Sequence, residues 1–279
     1  MERWRDRVAI VTGASAGIGW AIARALIEAD LYVVGLARRH ERMLELRDSQ
    51  LGSEEQRKRF TAIACDLSDL DSIRAAFEQV ERLPCSRDGV HVLINNAGMA
   101  SYSRLLDEGN EKALQRTMDV NLMGSVHCAK QTYRLMQPAL AAGQACHVIN
   151  VCSLLGHRIP PHIPGCGFNL YPVAKHALRA LNEVLRREFQ PHKLLLRLSN
   201  ISPGLTHTEF SEAASRNSES TAEATPSTKQ TTSTSVSVPE FGGAWLQPED
   251  VARGVLFILG SPQHVSVAEL LMVPTCEEY

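Results

Sequence analysis

The 279-residue sequence predicts one doubly wound α/β domain, a mostly parallel sheet with helices on both faces. Three observations predict it. Short β-branched runs alternate with longer segments of helical period, and strand, helix, strand in that order implies right-handed crossovers between parallel strands. The runs VAIV, LYVV, VHVLI and LLLRL are apolar throughout, as strands covered on both faces must be. A glycine-rich turn joins the first strand to the first helix.

Taken in order, VAIVTG leads into GIGWAIARALIEA, LYVVGLAR into a charged helix, and FTAIACDL into LDSIRAAFEQVERL. VHVLINNAG precedes two helical segments that reach about residue 141, ACHVINVCS precedes a helix over 171–189, and LLLRLSNISPG and AELLMVP are the last two strands. The stretch 211–238 interrupts this order. Half of its 28 residues are Ser or Thr and none is aromatic, so it buries little apolar surface and is expected to be mobile. It reads either as a surface insertion without a role or as a substrate loop whose informative parts are its ends, Ser202 to Phe210 and Val238 to Trp245.

Composition removes several function classes. Twenty-nine basic against thirty-one acidic residues leave a net charge of -2, so no overall field favours nucleic acid or an anionic membrane. MERWRDR runs straight into the first strand and no apolar run reaches the ~18 residues that span a bilayer, so neither a leader nor integral membrane association is expected. Seven cysteines without a CxxC pair or metal-ligand spacing suggest reduced thiols in a cytoplasmic setting, with no metal. Cys276 lacks the aliphatic neighbours of a prenylation box, since Glu277 and Glu278 follow it.

The first turn has the chemistry of a dinucleotide site. Gly13, Gly17 and Gly19 allow a tight turn, close approach to a pyrophosphate and helix packing, and Ser15, Ala16 and Ile18 complete the cradle. At the end of the second strand, Arg38 and Arg39 stand where a ribose-binding carboxylate would favour NAD(H). A guanidinium pairs with a 2′-phosphate, so NADP(H) is the expected cofactor, unless both arginines are only solvated charges at a helix start. Asp66, with Leu67, ends the third strand and reads either as a partner for the adenine amino group or as a helix cap. Asn95, Ala97 and Gly98 form a second small-residue turn at the same sheet edge, after the fourth strand.

Tyr171 and Lys175 lie four apart at the head of a helix and share one face, with Pro172 suited to the first turn. A neighbouring ammonium is expected to lower the phenol below its usual value of about 10 and fit it for proton exchange with an alcohol or carbonyl oxygen. Ser153 closes the fifth strand, where its hydroxyl could hold the substrate oxygen. Asn121 falls in a helical segment where its side chain or its backbone could hold a relay water. Pro203, Gly204, Thr206 and Thr208 follow the sixth strand, placed to bond a carboxamide. All of these cluster at or near the carboxyl ends of strands, where open α/β sheets bind ligands.

TGASAGIG, NNAG, Asn121, Ser153, YPVAK and SPG, in this order, resemble the classical short-chain dehydrogenases/reductases over nearly the whole chain. The resemblance implies a Rossmann-type fold and a tetrad. Tyr171 would be the general acid/base, Lys175 would tune it and hold the nicotinamide ribose, Ser153 would orient the substrate oxygen, and Asn121 would support a relay water. MERWRDRVAIVTGASAGIG, VVGLARRHER and LLGHRIPPHIPGCGFNLYP look like the insect farnesol dehydrogenase group and its vertebrate relatives acting on steroid ketones. That likeness implies an apolar alcohol or carbonyl substrate, farnesol-type oxidation to the aldehyde first and a steroid or retinoid carbonyl second. A noncatalytic NADP(H)-binding regulatory protein is the alternative of another class. Ile159, Pro160, Pro161, Ile163 and Pro164 would wall the pocket, with His157 and His162 as loop polar groups. ALRALNEVLRREF is apolar on more than one side, as the family's dimer helix is, so a homodimer or homotetramer is expected, although an intramolecular core would explain the pattern equally well.

Overall fold

Seven strands form one sheet in the computed structural model, whose described residues are 1–159, 168–192, 195–210, 212–214, 216 and 245–275. They are β1 (Val8–Thr12), β2 (Tyr32–Ala37), β3 (Phe60–Ala64), β4 (Val92–Asn95), β5 (Cys146–Val151), β6 (Leu196–Pro203) and β7 (Glu269–Met272). The order is β3-β2-β1-β4-β5-β6-β7 and every pairing is parallel. The winding reverses between β1 and β4, so the crevice where a doubly wound sheet binds ligands opens beyond those two carboxyl ends.

Eight helices complete the described fold: α1 (Gly17–Glu28), α2 (His40–Gln50), α3 (Glu54–Lys58), α4 (Leu70–Arg82), α5 (Glu111–Met118), α6 (Gly124–Ala141), α7 (Tyr171–Glu188) and α8 (Pro248–Gly260). Alternation along β1 divides the interior: Ala9 and Val11 join α1 and α8 in one core, while Val8 and Ile10 join α4 and α6 in the other. α4 buries Ile73, Ala76, Phe77 and Val80, the three-four-seven spacing of one helix face. Each large side chain removed from water in this way stabilises the fold by about 1.5–3 kcal/mol.

The expected strands are all present, but sequence reasoning passed from β6 to β7 without α8. Pro248 in its first turn, reciprocal bonds between Gln247 and Asp250, and burial of Val251, Ala252, Val255, Ile258 and Leu259 account for that helix. Stretch 211–238 falls outside the described residues except for 212–214 and 216, as do Pro160, Pro161, His162, Ile163 and Pro164. Ile159 is described and exposed. Among the described residues Cys65, Cys85, Cys128, Cys146 and Cys152 are free thiols, no helix is long and apolar enough to cross a membrane, and no group of acidic, His and Cys side chains could hold a metal. α7 buries Ala174 and Leu178 inward and exposes Val173 and Val184 outward.

Candidate active site

Space, more than flexibility, requires the glycines of the first turn. A Cβ on Gly19 would come 2.3 Å from the Gly13 carbonyl oxygen and one on Gly13 would come 2.9 Å from the Ala97 backbone, while Gly13 and Gly17 hold φ of +69° and +51°. α1 starts after Ala16, which offers no capping side chain, so the first amides of Gly17, Ile18 and Gly19 have no side-chain acceptor. An uncapped helix start with its dipole, beside a cradle that a Cβ would fill, fits a dinucleotide pyrophosphate.

Thr12 and Asn96 bind this turn to the end of β4. The Thr12 hydroxyl accepts from the amides of Asn96 and Ala97, each at 3.0 Å, and Asn96 Nδ2 donates to the Thr12 carbonyl at 2.8 Å. Sequence reasoning singled out Asn95, whose side chain is instead committed to the sheet interior, leaving only its backbone for a ligand. Gly98 is where chains converge: a Cβ there would lie 2.8 Å from Asn121 Oδ1 and 3.7 Å from Lys175 Nζ.

At the adenosine end, Ser15 is buried and accepts from Arg39 Nε at 3.2 Å, and Arg38 is exposed. Asp66 Oδ1 accepts from the Ser68 amide (2.9 Å) and hydroxyl (2.7 Å), whereas the cap of α4 is Asp69. Burial pushes the Asp66 carboxyl up, but the Ser68 bonds and the charges of Arg38 and Arg116 prevail and hold it below its ordinary value. Of the two readings open for Asp66, the cap of the next helix therefore belongs to its neighbour. Leu67 is buried, and its carbonyl packs where Gly124 has no side chain.

Across the strands runs a ladder of side chains. Asn95 donates to Asn150 (3.0 Å), Asn150 to Asn200 (3.4 Å) and Asn200 to Glu269 (3.2 Å), each pair in register on neighbouring strands. Glu269 also accepts the Ser202 hydroxyl at 2.6 Å and pairs with Arg179 of α7 at 3.4 Å, and Arg179 reaches the Gly156 carbonyl at 3.0 Å. His157 bonds Ser202 at 3.0 Å, in keeping with a loop polar group. One carboxylate thus ties together the segment after β5, the end of β6 and the helix carrying Tyr171.

Tyr171 opens α7 with Pro172 next, and it is buried. Its approach is constrained, because Phe168 and Asn169 hold φ of 28° and 34°, unfavourable for side chains of this kind, while Asn169 Nδ2 donates to Ser101 O (2.9 Å) and Ser103 Oγ (3.1 Å). Ser153 lies just beyond β5, accepts from the Leu155 amide at 3.1 Å and hydrogen-bonds the phenol. Lys175 is buried on the same helix face, its Nζ 5.5 Å from the Tyr171 ring centroid. Asn121 sits in a π-helical turn, Asp119–Met123, between α5 and α6. Its amide donates to Met99 O (2.8 Å) and Thr117 O (2.7 Å), and its oxygen accepts from the Met99 amide (3.1 Å). The side chain is thus fully engaged, and the Asn121 backbone carbonyl accepts from the Ser125 hydroxyl at 3.3 Å.

One expectation is reversed by this geometry. The phenol was expected to be lowered by its ammonium neighbour, but burial raises Tyr171 above its ordinary value and the Ser153 bond opposes this only in part. Lys175, buried as well, donates its Nζ to the Val151 carbonyl at 2.8 Å, and burial lowers its own value.

Beyond β6, the Gly204 amide donates to Met272 O at 2.7 Å, so Pro203 and Gly204 are anchored to β7. Thr206 donates to Gly204 O at 3.1 Å, and Thr208 lies against Gly17, its methyl 3.0 Å from where a Cβ would stand. Over the phenol lies an apolar cluster in which Ala100, Leu155 and Ala214 join Tyr102, Phe168 and Phe210. The ring centroids of Phe210 and Phe168 stand 5.4 and 5.8 Å from that of Tyr171.

A family model described as short chain dehydrogenase matches residues 7–219. The chain belongs to that family. As a short-chain dehydrogenase it is an oxidoreductase that binds a nicotinamide cofactor, which the glycine cradle and uncapped helix start accommodate. It is 34% identical to a farnesol dehydrogenase of Aedes aegypti over 279 residues, covering 100% of both chains. It is 36% identical to dehydrogenase/reductase SDR family member 11 of Mus musculus over 275 residues, covering 99% of this chain and 96% of the relative. The solved alcohol dehydrogenase from Thermococcus sibiricus complexed with 5-hydroxy-NADP is similar with a TM-score of 0.74 and 25% identity, covering 98% of each chain. For this short-chain dehydrogenase, sequence reasoning missed Thr12, Asn96, Asn169 and Glu269. Asn96 was legible inside NNAG; the others act through contacts between distant segments.

Proposed function

We propose that the protein is an NADP(H)-dependent oxidoreductase that interconverts an apolar alcohol and its carbonyl, with oxidation of a farnesol-type isoprenoid alcohol to the aldehyde as the leading reaction. The observation that carries this reading is the burial of two hydroxyl groups, on Tyr171 and Ser153, beneath an apolar cluster that includes Phe168 and Phe210. Such a wall accepts an isoprenoid chain, and the hydroxyls supply the polar contacts that orient its oxygen. The similarity to the Aedes farnesol dehydrogenase, over the full length of both chains, supports the same substrate class. NADP(H) is supported by Arg38 and Arg39 beyond β2, with the Ser15 hydroxyl bonded to Arg39 at 3.2 Å, and by the NADP derivative in the Thermococcus relative.

When bound, the cofactor supplies the two-electron exchange with the substrate carbon. Ser153 holds the substrate oxygen, and Tyr171 passes a proton to or from it. Lys175 binds the nicotinamide ribose, and the Asn121 carbonyl supports the water through which the proton reaches solvent. Tyr171 is protonated at neutral pH, as a phenol ordinarily is, and burial keeps it so further into the alkaline range; it is ready as an acid for carbonyl reduction, while alcohol oxidation draws on the phenolate and gains from rising pH.

The test is a panel assay of the purified protein with NADP(H), set against farnesol and farnesal, retinol and retinal, and hydroxysteroids with their ketones. The expected result is the highest kcat/KM for the farnesol pair. Absence of any change in reduced-nicotinamide absorbance across the panel would refute the enzymatic reading and favour a binding protein. A self-association surface on α7, where Val173 and Val184 are exposed, belongs to the same proposal and is checked by sedimentation.

A further inference from the structure

Past β6, next to the Thr208 that lies against the glycine turn, stands a carboxylate outside the roles assigned so far. Glu209 Oε2 accepts from Arg39 Nη1 at 3.3 Å and its Oε1 from Arg42 Nη2 at 2.7 Å. Arg39 uses its remaining Nε on Ser15 Oγ at 3.2 Å. Ser15, Arg39 and Arg42 therefore form one continuous donor set, running from the pyrophosphate cradle to the start of α2. The anion that the two guanidiniums share is supplied by the chain itself, from 170 and 167 residues away.

Two features make this anion exchangeable. The side chains of Arg39, Arg42 and Glu209 are 50%, 42% and 41% exposed, so each ion pair is weak enough to be traded for another partner. Arg42 Nε is buried with no acceptor, so the cluster has more donors than one carboxylate satisfies. A phosphate monoester brings three acceptor oxygens and up to about two negative charges, which matches the cluster better than Glu209 does.

We propose that Glu209 is a specificity-determining residue, an internal competitor for the 2′-phosphate of NADP(H) at Arg39 and Arg42. This rests on the NADP(H) reading above and deepens it. An NAD(H) molecule, without that phosphate, leaves Glu209 on its arginines. NADP(H) displaces it, and displacement frees a segment in which Thr208 touches Gly17 and Phe210 packs over Tyr171. Glu209 thereby weakens NADP(H) binding without weakening NAD(H) binding, and couples occupation of the phosphate subsite to the cover of the phenol.

The experiment is calorimetric titration of NADPH, NADH, adenosine 2′,5′-bisphosphate and AMP into the full-length protein and into Glu209→Gln and Arg39→Gln, both changes at exposed side chains. Glu209→Gln is expected to bind NADPH and the bisphosphate about three- to tenfold tighter, with NADH and AMP within about twofold of the parent. Arg39→Gln should weaken the two 2′-phosphorylated ligands, NADPH and the bisphosphate, selectively. The competition is overturned if Glu209→Gln leaves NADPH unchanged or weaker, or tightens all four ligands alike, while Arg39→Gln retains its selective effect. If Arg39→Gln instead weakens NADPH and NADH equally and the parent does not distinguish the bisphosphate from AMP, the NADP(H) reading falls, and the competition falls with it.

Discussion

At the amino edge of the sheet, Arg197 gives one guanidinium nitrogen to the carbonyls of Ser261 (3.2 Å), Pro262 (3.1 Å) and Val265 (3.0 Å), His147 bonds Ser199 at 2.8 Å, and His91 bonds Gln144 at 2.7 Å. At the carboxyl edge, Tyr171 and Lys175 are buried as deeply, yet they lie among glycines, an uncapped helix start and a left-handed approach at Phe168 and Asn169. Both edges carry ionisable groups that burial shifts away from their charged forms: His147 well down, Arg197 down to about 10, Tyr171 up. The difference lies in what surrounds them. Polar groups at the amino edge tie the turn after α8 to β5 and β6 and act on stability, whereas those at the carboxyl edge stand beside backbone amides and small residues that fit a ligand. Depth of burial alone does not mark a site.

The largest effect that could break this contrast is Tyr171→Phe. It is expected to lower kcat by about a hundred- to ten-thousandfold with little change in NADPH affinity, read by steady-state kinetics and calorimetry. His147→Gln, at the other edge, should leave kcat within about twofold while lowering the unfolding midpoint, because the bond it loses contributes about 1 kcal/mol. A large kcat loss from the amino-edge change would erase the distinction.

Next in size is Gly19→Ala. Its Cβ would stand 2.3 Å from a backbone carbonyl, an overlap that costs about 1–3 kcal/mol and distorts the pyrophosphate cradle. The expected outcome is loss of NADPH-induced thermal stabilisation, with a smaller drop in the melting temperature of the protein alone.

How much of this contrast was legible beforehand differs by element. β1, β2, β4 and the start of β6 were readable as apolar, buried runs, the partly exposed edge strands β3 and β7 by their place in the alternation with helices, and the first turn because its three glycines fall between a strand and a helix. α8 escaped because Gln247 is not among the residues that favour a helix N-cap, although the burial spacing from Val251 to Leu259 was present in the sequence. Tyr171 and Lys175 were legible as neighbours on a helix face, but the sign of the phenol's shift depends on how deeply the packed site buries it, which no spacing encodes. Asn95 and Asn96 differ for a similar reason. Adjacent residues at a strand end face opposite ways, and only the packed sheet shows that Asn96 reaches Thr12 while Asn95 enters the ladder.

A smaller effect sharpens the comparison through pH. Burial holds His147 and His91 below the ordinary histidine value, so at low pH the unfolded chain binds protons that the folded chain refuses. Stability is therefore expected to fall as pH drops below about 6.5, by up to about 1.4 kcal/mol per pH unit for each histidine, until the folded values are reached. Urea unfolding across that range checks it, and His147→Gln should flatten the slope. Smallest is Glu269→Gln, which keeps the size of the side chain but removes its charge from Arg179; a loss of about 1 kcal/mol in unfolding free energy is expected.

The most direct test of the phenol as proton exchanger is the single-turnover rate of farnesol oxidation at saturating NADP+, followed across neutral to alkaline pH. For the parent protein the rate is expected to climb with pH as Tyr171 gives up its proton, and in Tyr171→Phe both the rate and its climb should be lost. A rate indifferent to pH, or an unchanged profile in Tyr171→Phe, would contradict the account.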